Sequence, residues 1–262
     1  MAQVPKPHVR DAFVAAAAET FAELGFEATT MADVAARASS SVGNLYKYFA
    51  GKQQLFDAAV PAELVQELKR RTHARIRALG AAKDVRELGA DARYHALAGE
   101  LLDYCLAHRA AIVIVLGRAQ GTPFAAFTHD FVEKLMQWAL DYARTPYPAL
   151  AVTPQLRFVL RHAYTSFIAA VAQALRQFPD DAEARAVIGL LTAQHQGGLK
   201  RLFETEGDRD PNAHSQRPRQ PSVVTKVAGS RARNTAALAP DPGAAGPGAG
   251  QANRARRARR RR

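Results

Sequence analysis

The sequence of 262 residues has a single cysteine, Cys105, and one tryptophan. One thiol excludes a disulfide framework and a cysteine-ligated zinc cluster, and it fits a reduced, cytoplasmic setting. Cys105 itself reads first as a small buried apolar residue. Long apolar runs are missing as well. The best, Ala110 to Leu116, falls far short of the roughly 18 residues a membrane helix needs, and Arg109 and Arg118 flank it. The opening MAQVPKPHVR has no apolar core behind it of the kind a secretory leader carries. Sustained period-two alternation is absent, which argues against half-buried strands. So are the Glu-x-x-His pairs of di-iron bundles, the His-Glu-x-x-His zinc motif, the P-loop and the nucleophile elbow. Asp91, His95, Glu100 and His108 lie close in sequence, but they fit none of these patterns. An enzyme built on a helical bundle is therefore the weak rival, and nothing calls for a cofactor or a metal.

What is present is ample apolar content, 48%, with the helical period. The fold class is all-α: a small amino-terminal unit over residues 1–60, a larger helical domain over 61–205, and a tail over 206–262. Charge separates the tail from the rest. Residues 207–262 hold thirteen Lys or Arg against three Asp, whereas residues 1–206 are nearly balanced, with 23 basic and 21 acidic side chains. The tail also carries PDPGAAGPGAGQ and RARRARRRR. Such a composition buries too little apolar surface to offset chain entropy, so disorder is the expectation.

In the first unit Val9, Phe13, Ala17, Phe21 and Leu24 recur at helical spacing, and Gly25 with Phe26 reads as a left-handed stop with its hydrophobic contact. Thr30 with Asp33 has the form of a capping box ahead of Met31, Val34, Ala35 and Ala38. Ser41 then caps a third helix expected to run to about Phe49, with Leu45 and Phe49 as core anchors, and Lys52 opens a fourth. Two short helices joined by a tight turn, the second starting with small and polar residues, have the form of a helix-turn-helix over residues 30–49. Serine, asparagine, tyrosine and lysine hydrogen-bond phosphates, and glycine permits close backbone approach to DNA. The helix has none of the Arg or Gln that commonly reads bases in bidentate fashion. Specificity would then lean on Val42, Asn44 and DNA shape.

Residues Phe13 to Leu55, FVAAAAETFAELGFEATTMADVAARASSSVGNLYKYFAGKQQL, resemble the amino-terminal domain of the TetR/AcrR transcriptional regulators. The specific parts are ELGFEATTMADVAARA, SVGNLYKYF and GKQQLF. The resemblance implies that Thr30, Ser40 and Ser41 lie near phosphates and that Val42 and Gly43 face base edges. It implies that Asn44 reaches a phosphate or base, that Tyr46, Lys47 and Tyr48 serve the backbone, and that Lys52 pairs a phosphate. One departure stands out. Ser39 and Ser40 replace the usual glycine and apolar residue of the turn, so a less rigid joint is expected.

For residues 61–205 the resemblance implies a ligand-binding domain whose last two long helices pair with those of a second copy. Leu156, Val159, Leu160, Ala163, Phe167, Ala170 and Ala174 offer one seam. Val187, Leu190, Leu191, Gln194, Gly198 and Leu202 offer the other. Asp84, Thr122, Thr153 and Asp180 each have the form of a helix start in this part. A pocket between the middle helices is expected to be mainly apolar. Its candidate lining is Tyr94, Leu102, Cys105, Leu116, Phe124, Phe127, Trp138 and Phe167, with His95, Met136 and Leu140 nearby. The implied function is a cytoplasmic, nucleoid-associated repressor. It would bind a palindromic operator in double-stranded DNA as a homodimer, without membrane contact, and be released by a small, largely apolar effector. The alternative is an architectural protein that coats DNA through its basic tail. As a flexible coil the tail would span roughly 40 Å, enough to reach flanking duplex.

Overall fold

Pro7 sits in the first turn of α1 (Pro7–Leu24), where its missing N–H costs nothing. The computed structural model describes residues 6–207, and no strand occurs among them. The α1 core face is Phe13, Ala16, Ala17, Thr20 and Phe21, while Leu24, expected on the same stripe, is 44% exposed. Gly25 ends the helix with φ 85° and ψ 158°, so the stop has positive φ but an extended ψ, not the left-handed helical one. Phe26 does make the expected contact, its ring 5.6 Å from Phe21 and 5.1 Å from Phe56.

The next elements are α2 (Met31–Arg37), α3 (Val42–Leu45) and α4 (Lys52–Ala59). Met31, Val34 and Ala35 of α2, Leu45 of α3, and Leu55 and Phe56 of α4 join Phe13 and Phe21 in one core. The body follows with α5 (Ala62–Arg77), α6 (Arg93–Ala107), α7 (Arg109–Val115), α8 (Phe127–Ala143), α9 (Pro154–Gln177) and α10 (Asp181–Gly207). Residues Ala111 to Val115 of α7 are all buried, because this short helix packs on α1 in front and α9 behind. Helix α7 thus joins the amino-terminal unit to the body. Around it α5 packs on α6 and α8, and α9 on α8 and α10.

Two of the four expected helix starts form. Thr153 Oγ1 accepts the Leu156 N–H at 3.1 Å, and Asp180 accepts those of Ala182 and Glu183 at 2.9 and 3.0 Å. Asp84 instead caps only a 3-10 turn, Val85–Glu87, and spends its other oxygen on Lys200 at 2.7 Å. Thr122 accepts the Phe124 N–H within a run of turns, and α8 begins five residues later. The break at His108, with φ −114° and ψ 29°, has no glycine or proline to announce it. Its cause is long-range: Arg109 reaches the Leu175 carbonyl at 2.8 Å and Asp181 at 2.7 Å, tying the start of α7 to the α9–α10 corner.

The seam expected on α9 is split. Leu156, Leu160 and Ala174 are buried within the chain, whereas Val159 is exposed, beside an unanticipated Phe158 at 70% exposure. On α10 Leu190 is 73% exposed, and Val187, Leu191 and Leu202 are half-buried against the core. The expectation of a disordered basic tail falls on residues outside those described, apart from Glu206 and Gly207, which end α10.

Candidate nucleic-acid interface

Helix α2 starts on a complete capping box. Thr30 Oγ1 accepts the Asp33 N–H at 3.2 Å, and Asp33 Oδ2 accepts the Thr30 N–H at 2.8 Å and its hydroxyl at 2.7 Å. Those bonds hold the Asp33 carboxyl below its usual range, the Thr30 hydroxyl contributing most. After Arg37 the chain turns through Ala38, Ser39 and Ser40. The Ser39 N–H bonds the Ala36 carbonyl at 3.0 Å and the Ser40 N–H bonds that of Ala35 at 2.8 Å. This is a Schellman pattern, and it requires the left-handed φ of 50° found at Ser39. Ser40, expected to weaken the joint, has a partner across it: its hydroxyl accepts from Asn44 Nδ2 at 3.1 Å.

Ser41 caps α3 by accepting the Asn44 N–H at 3.1 Å. The helix proper ends at Leu45, not near Phe49, and residues 46–48 continue as turns. The Lys47 and Tyr48 N–H groups bond three residues back, to Asn44 and Leu45, which tightens the segment. Leu45 and Phe49 are fully buried, as their spacing predicts. Four neighbours therefore face out: Val42, Gly43, Tyr46 and Lys47 are exposed, with Tyr46 at 52%. Nothing would meet a Cβ at Gly43, so its backbone is open to a partner.

Tyr48 and Lys52 are placed differently. The Tyr48 ring packs 5.5 Å from Phe13, and its hydroxyl accepts the Lys6 N–H at 3.2 Å. The Lys52 ammonium donates to the carbonyls of Phe26, Thr29 and Glu27 at 2.8, 2.9 and 3.2 Å, and sits 4.5 Å from the Phe26 ring centre. Its three protons are thus directed to carbonyls of the turn between α1 and α2. The same turn is tied to the body, since the Phe26 N–H bonds the Arg118 carbonyl at 3.0 Å.

None of the eight residues expected to line a pocket lines either of two crevices found among the described residues. Phe124 packs toward Phe56 at 6.3 Å, and Trp138 stacks on His73 at 4.5 Å. Phe167 stacks on His195 at 4.3 Å. Tyr94, Cys105, Leu116 and Phe127 are core, and burial pushes the Cys105 thiol up to about 12. Leu102 is half-buried on α6. A crevice of about 660 Å³ lies elsewhere, where α4, α5 and α6 meet, and is lined by Ala59, Leu64, Glu67 and Tyr104 among others. Another of about 720 Å³ is faced by Met136 and Leu140.

Residues 13–59 match the family described as bacterial regulatory proteins, tetR family. No curated protein matches the chain. Among solved structures, a tetR-family transcriptional regulator from Streptomyces coelicolor is similar at 18% identity. The match covers 80% of this chain and 93% of that one with a TM-score of 0.30. A protein from Shewanella sp. PV-4 assigned to the tetR family of transcription regulators is 16% identical over 71% of this chain and 97% of its own, at 0.29. These TM-scores are low, and the assignment rests on the amino-terminal match. That match spans α1 to α4 and the capped α2–turn–α3 unit, so the amino-terminal part of the chain is similar to that of bacterial regulatory proteins of the tetR family.

Proposed function

We propose that the chain is a homodimeric repressor that binds a palindromic operator and is released from it by a small, largely apolar effector. The observation that carries this reading is the Ser41-capped α3 with Val42, Gly43, Tyr46 and Lys47 exposed together. Val42 and the bare Gly43 backbone approach base edges, Tyr46 and Lys47 take phosphates, and Thr30 and Ser41 flank them from the starts of α2 and α3. Asn44 and Ser40, bonded to one another, set the angle of α3, and Tyr48 steadies it through Phe13. The exposed Phe158, Val159 and Leu190 on α9 and α10 supply the apolar surface for a second copy. Two heads so joined fit half-sites about 34 to 36 Å apart or a multiple of that. The body, residues 61–205, receives the effector, and the protein acts in the cytoplasm at the nucleoid.

Binding of the effector must favour a state whose heads are badly spaced, or it shifts nothing. The link from body to head runs through α7 and the Arg118 carbonyl on Phe26. Selection of bound duplexes from a random pool, followed by footprinting with the full chain, tests the reading. A short palindromic footprint is expected. Uniform protection along the duplex would instead favour an architectural protein working through the thirteen basic residues of the tail.

A further inference from the structure

The body holds a cation with no counter-ion. Arg75, in the last turn of α5, forms no ion pair with any carboxylate among the described residues, whereas Arg71 one turn earlier pairs with Glu67 at 2.6 Å and Glu100 at 3.7 Å. The Arg75 Nε and Nη2 both donate to the Tyr94 hydroxyl, at 3.2 and 2.7 Å, and Gln196 Nε2 donates to the same oxygen. Three N–H groups thus converge on one neutral phenol, which cannot neutralise a guanidinium. Beside it lies a second unsatisfied group: His195 Nε2 is buried with no hydrogen-bond partner. The imidazole stacks on Phe167, ring centres 4.3 Å apart, and meets the edge of Tyr164 at 4.8 Å. The Tyr164 side chain is itself buried there. Burial, helped by the Arg75 charge, lowers His195 to about 4, so the imidazole is neutral near pH 7.

A half-buried guanidinium without an anion and an orphaned interior imidazole are each unfavourable alone, and both are relieved by the same ligand. We propose that this cluster, between α5, α6, α9 and α10, is the head-group site for an organic carboxylic acid. Its carboxylate seats on Arg75, takes the Tyr164 hydroxyl and the His195 Nε2–H as further donors, and lays its apolar body along Phe167. Planar carboxylate matches the guanidinium fork. One cation with two neutral donors suits a single negative charge better than a phosphate ester. This inference rests on the reading of residues 61–205 as the effector domain and names the chemical class of that effector.

The test uses the full chain without DNA, following melting temperature and the fluorescence of Trp138, the sole tryptophan. Benzoate, phenylacetate and octanoate are the probes, with benzamide and benzylamine as neutral and cationic controls. At least one acid is expected to raise the melting temperature by about 3 °C at saturating concentration, and the controls are not. Arg75→Gln should abolish that shift without lowering its own melting temperature, since it removes an uncompensated charge. Tyr164→Phe should weaken acid binding several-fold, and Arg71→Gln should leave it intact. The proposal is overturned if no acid shifts the melt, if benzamide does as well as benzoate, or if Arg75→Gln responds like the parent. It is equally overturned if Arg75→Gln merely destabilises a protein that ignores the acids. Release from selected operator duplex is measured separately. An acid that binds through Arg75 but leaves DNA bound sustains the site and refutes the effector reading.

Discussion

Ser39 is the sole non-glycine residue with positive φ among those described, at 50°. Its conformation closes the α2 end by satisfying the Ala35 and Ala36 carbonyls, so the turn keeps its geometry at a steric cost that glycine does not bear. Ser39→Gly is expected to raise stability by about 0.5 to 1 kcal/mol, read as a higher urea midpoint with unchanged slope. A lower midpoint would mean that the side chain, not the backbone, holds the turn. Lys52 makes the opposite case. Its ammonium replaces solvent on three carbonyls that α1 and α2 leave open, and hydrogen bonds to a charged group are the stronger kind. Lys52→Met is therefore expected to cost about 2 kcal/mol of stability in the absence of DNA. A variant with parental stability and weakened DNA binding would return the residue to the phosphate role that its sequence context suggests.

Among the elements, those set by neighbours in sequence were legible. Thr30 with Asp33, Ser41, Thr153 and Asp180 each form the cap their type and position announce, and the Leu45–Phe49 spacing places both in the core. The illegible features depend on groups far away in the chain. Asp84 pairs with Lys200 over 116 positions, Arg109 reaches Asp181 over 72, and Gln196 meets Tyr94 over 102. For that reason the His108 break and the Arg75 cluster could not be read from local periodicity, and Tyr94 was legible only as a generic lining residue. The length of α3 lies between these cases. Gly43 disfavours helix by about 1 kcal/mol relative to alanine, and the segment relaxes to turns after Leu45. No atom would obstruct a methyl at Gly43. Gly43→Ala should therefore stabilise the fold by up to about 1 kcal/mol and, on the proposed reading that the Gly43 backbone approaches the duplex, weaken operator binding at least about ten-fold, the equivalent of about 1.4 kcal/mol. Both are measured on one preparation, by urea melts and by titration of operator. Unimpaired binding would place the DNA away from the start of α3.

Taken as a whole molecule, the chain separates recognition from charge. Residues 1–60 carry five Lys or Arg against six Asp or Glu, and Arg37 is further neutralised by Glu19 and Glu23. Lys52 is turned inward, which leaves Lys47, in the turn just after α3, as the exposed cation there among the described residues. A head so nearly neutral gains little from counterion release, the term that supplies most nonspecific affinity for DNA. The thirteen basic residues after Glu206 carry the charge that the head lacks. Tethered beyond the described helices, they would raise the local concentration of cation at flanking phosphates without reading sequence. A chain ending at Gly207 is then expected to keep the same selected operator but bind it more weakly at low salt. Its log–log salt slope should be shallower by about 0.9 for every phosphate the tail had neutralised, so four engaged arginines would remove about 3.6. The discrimination between operator and random duplex should stay the same or improve, since the lost contacts favour both equally. If the shortened chain retained both affinity and slope, the tail would have no part in holding DNA, and the few outward groups of α3 would have to supply the affinity alone.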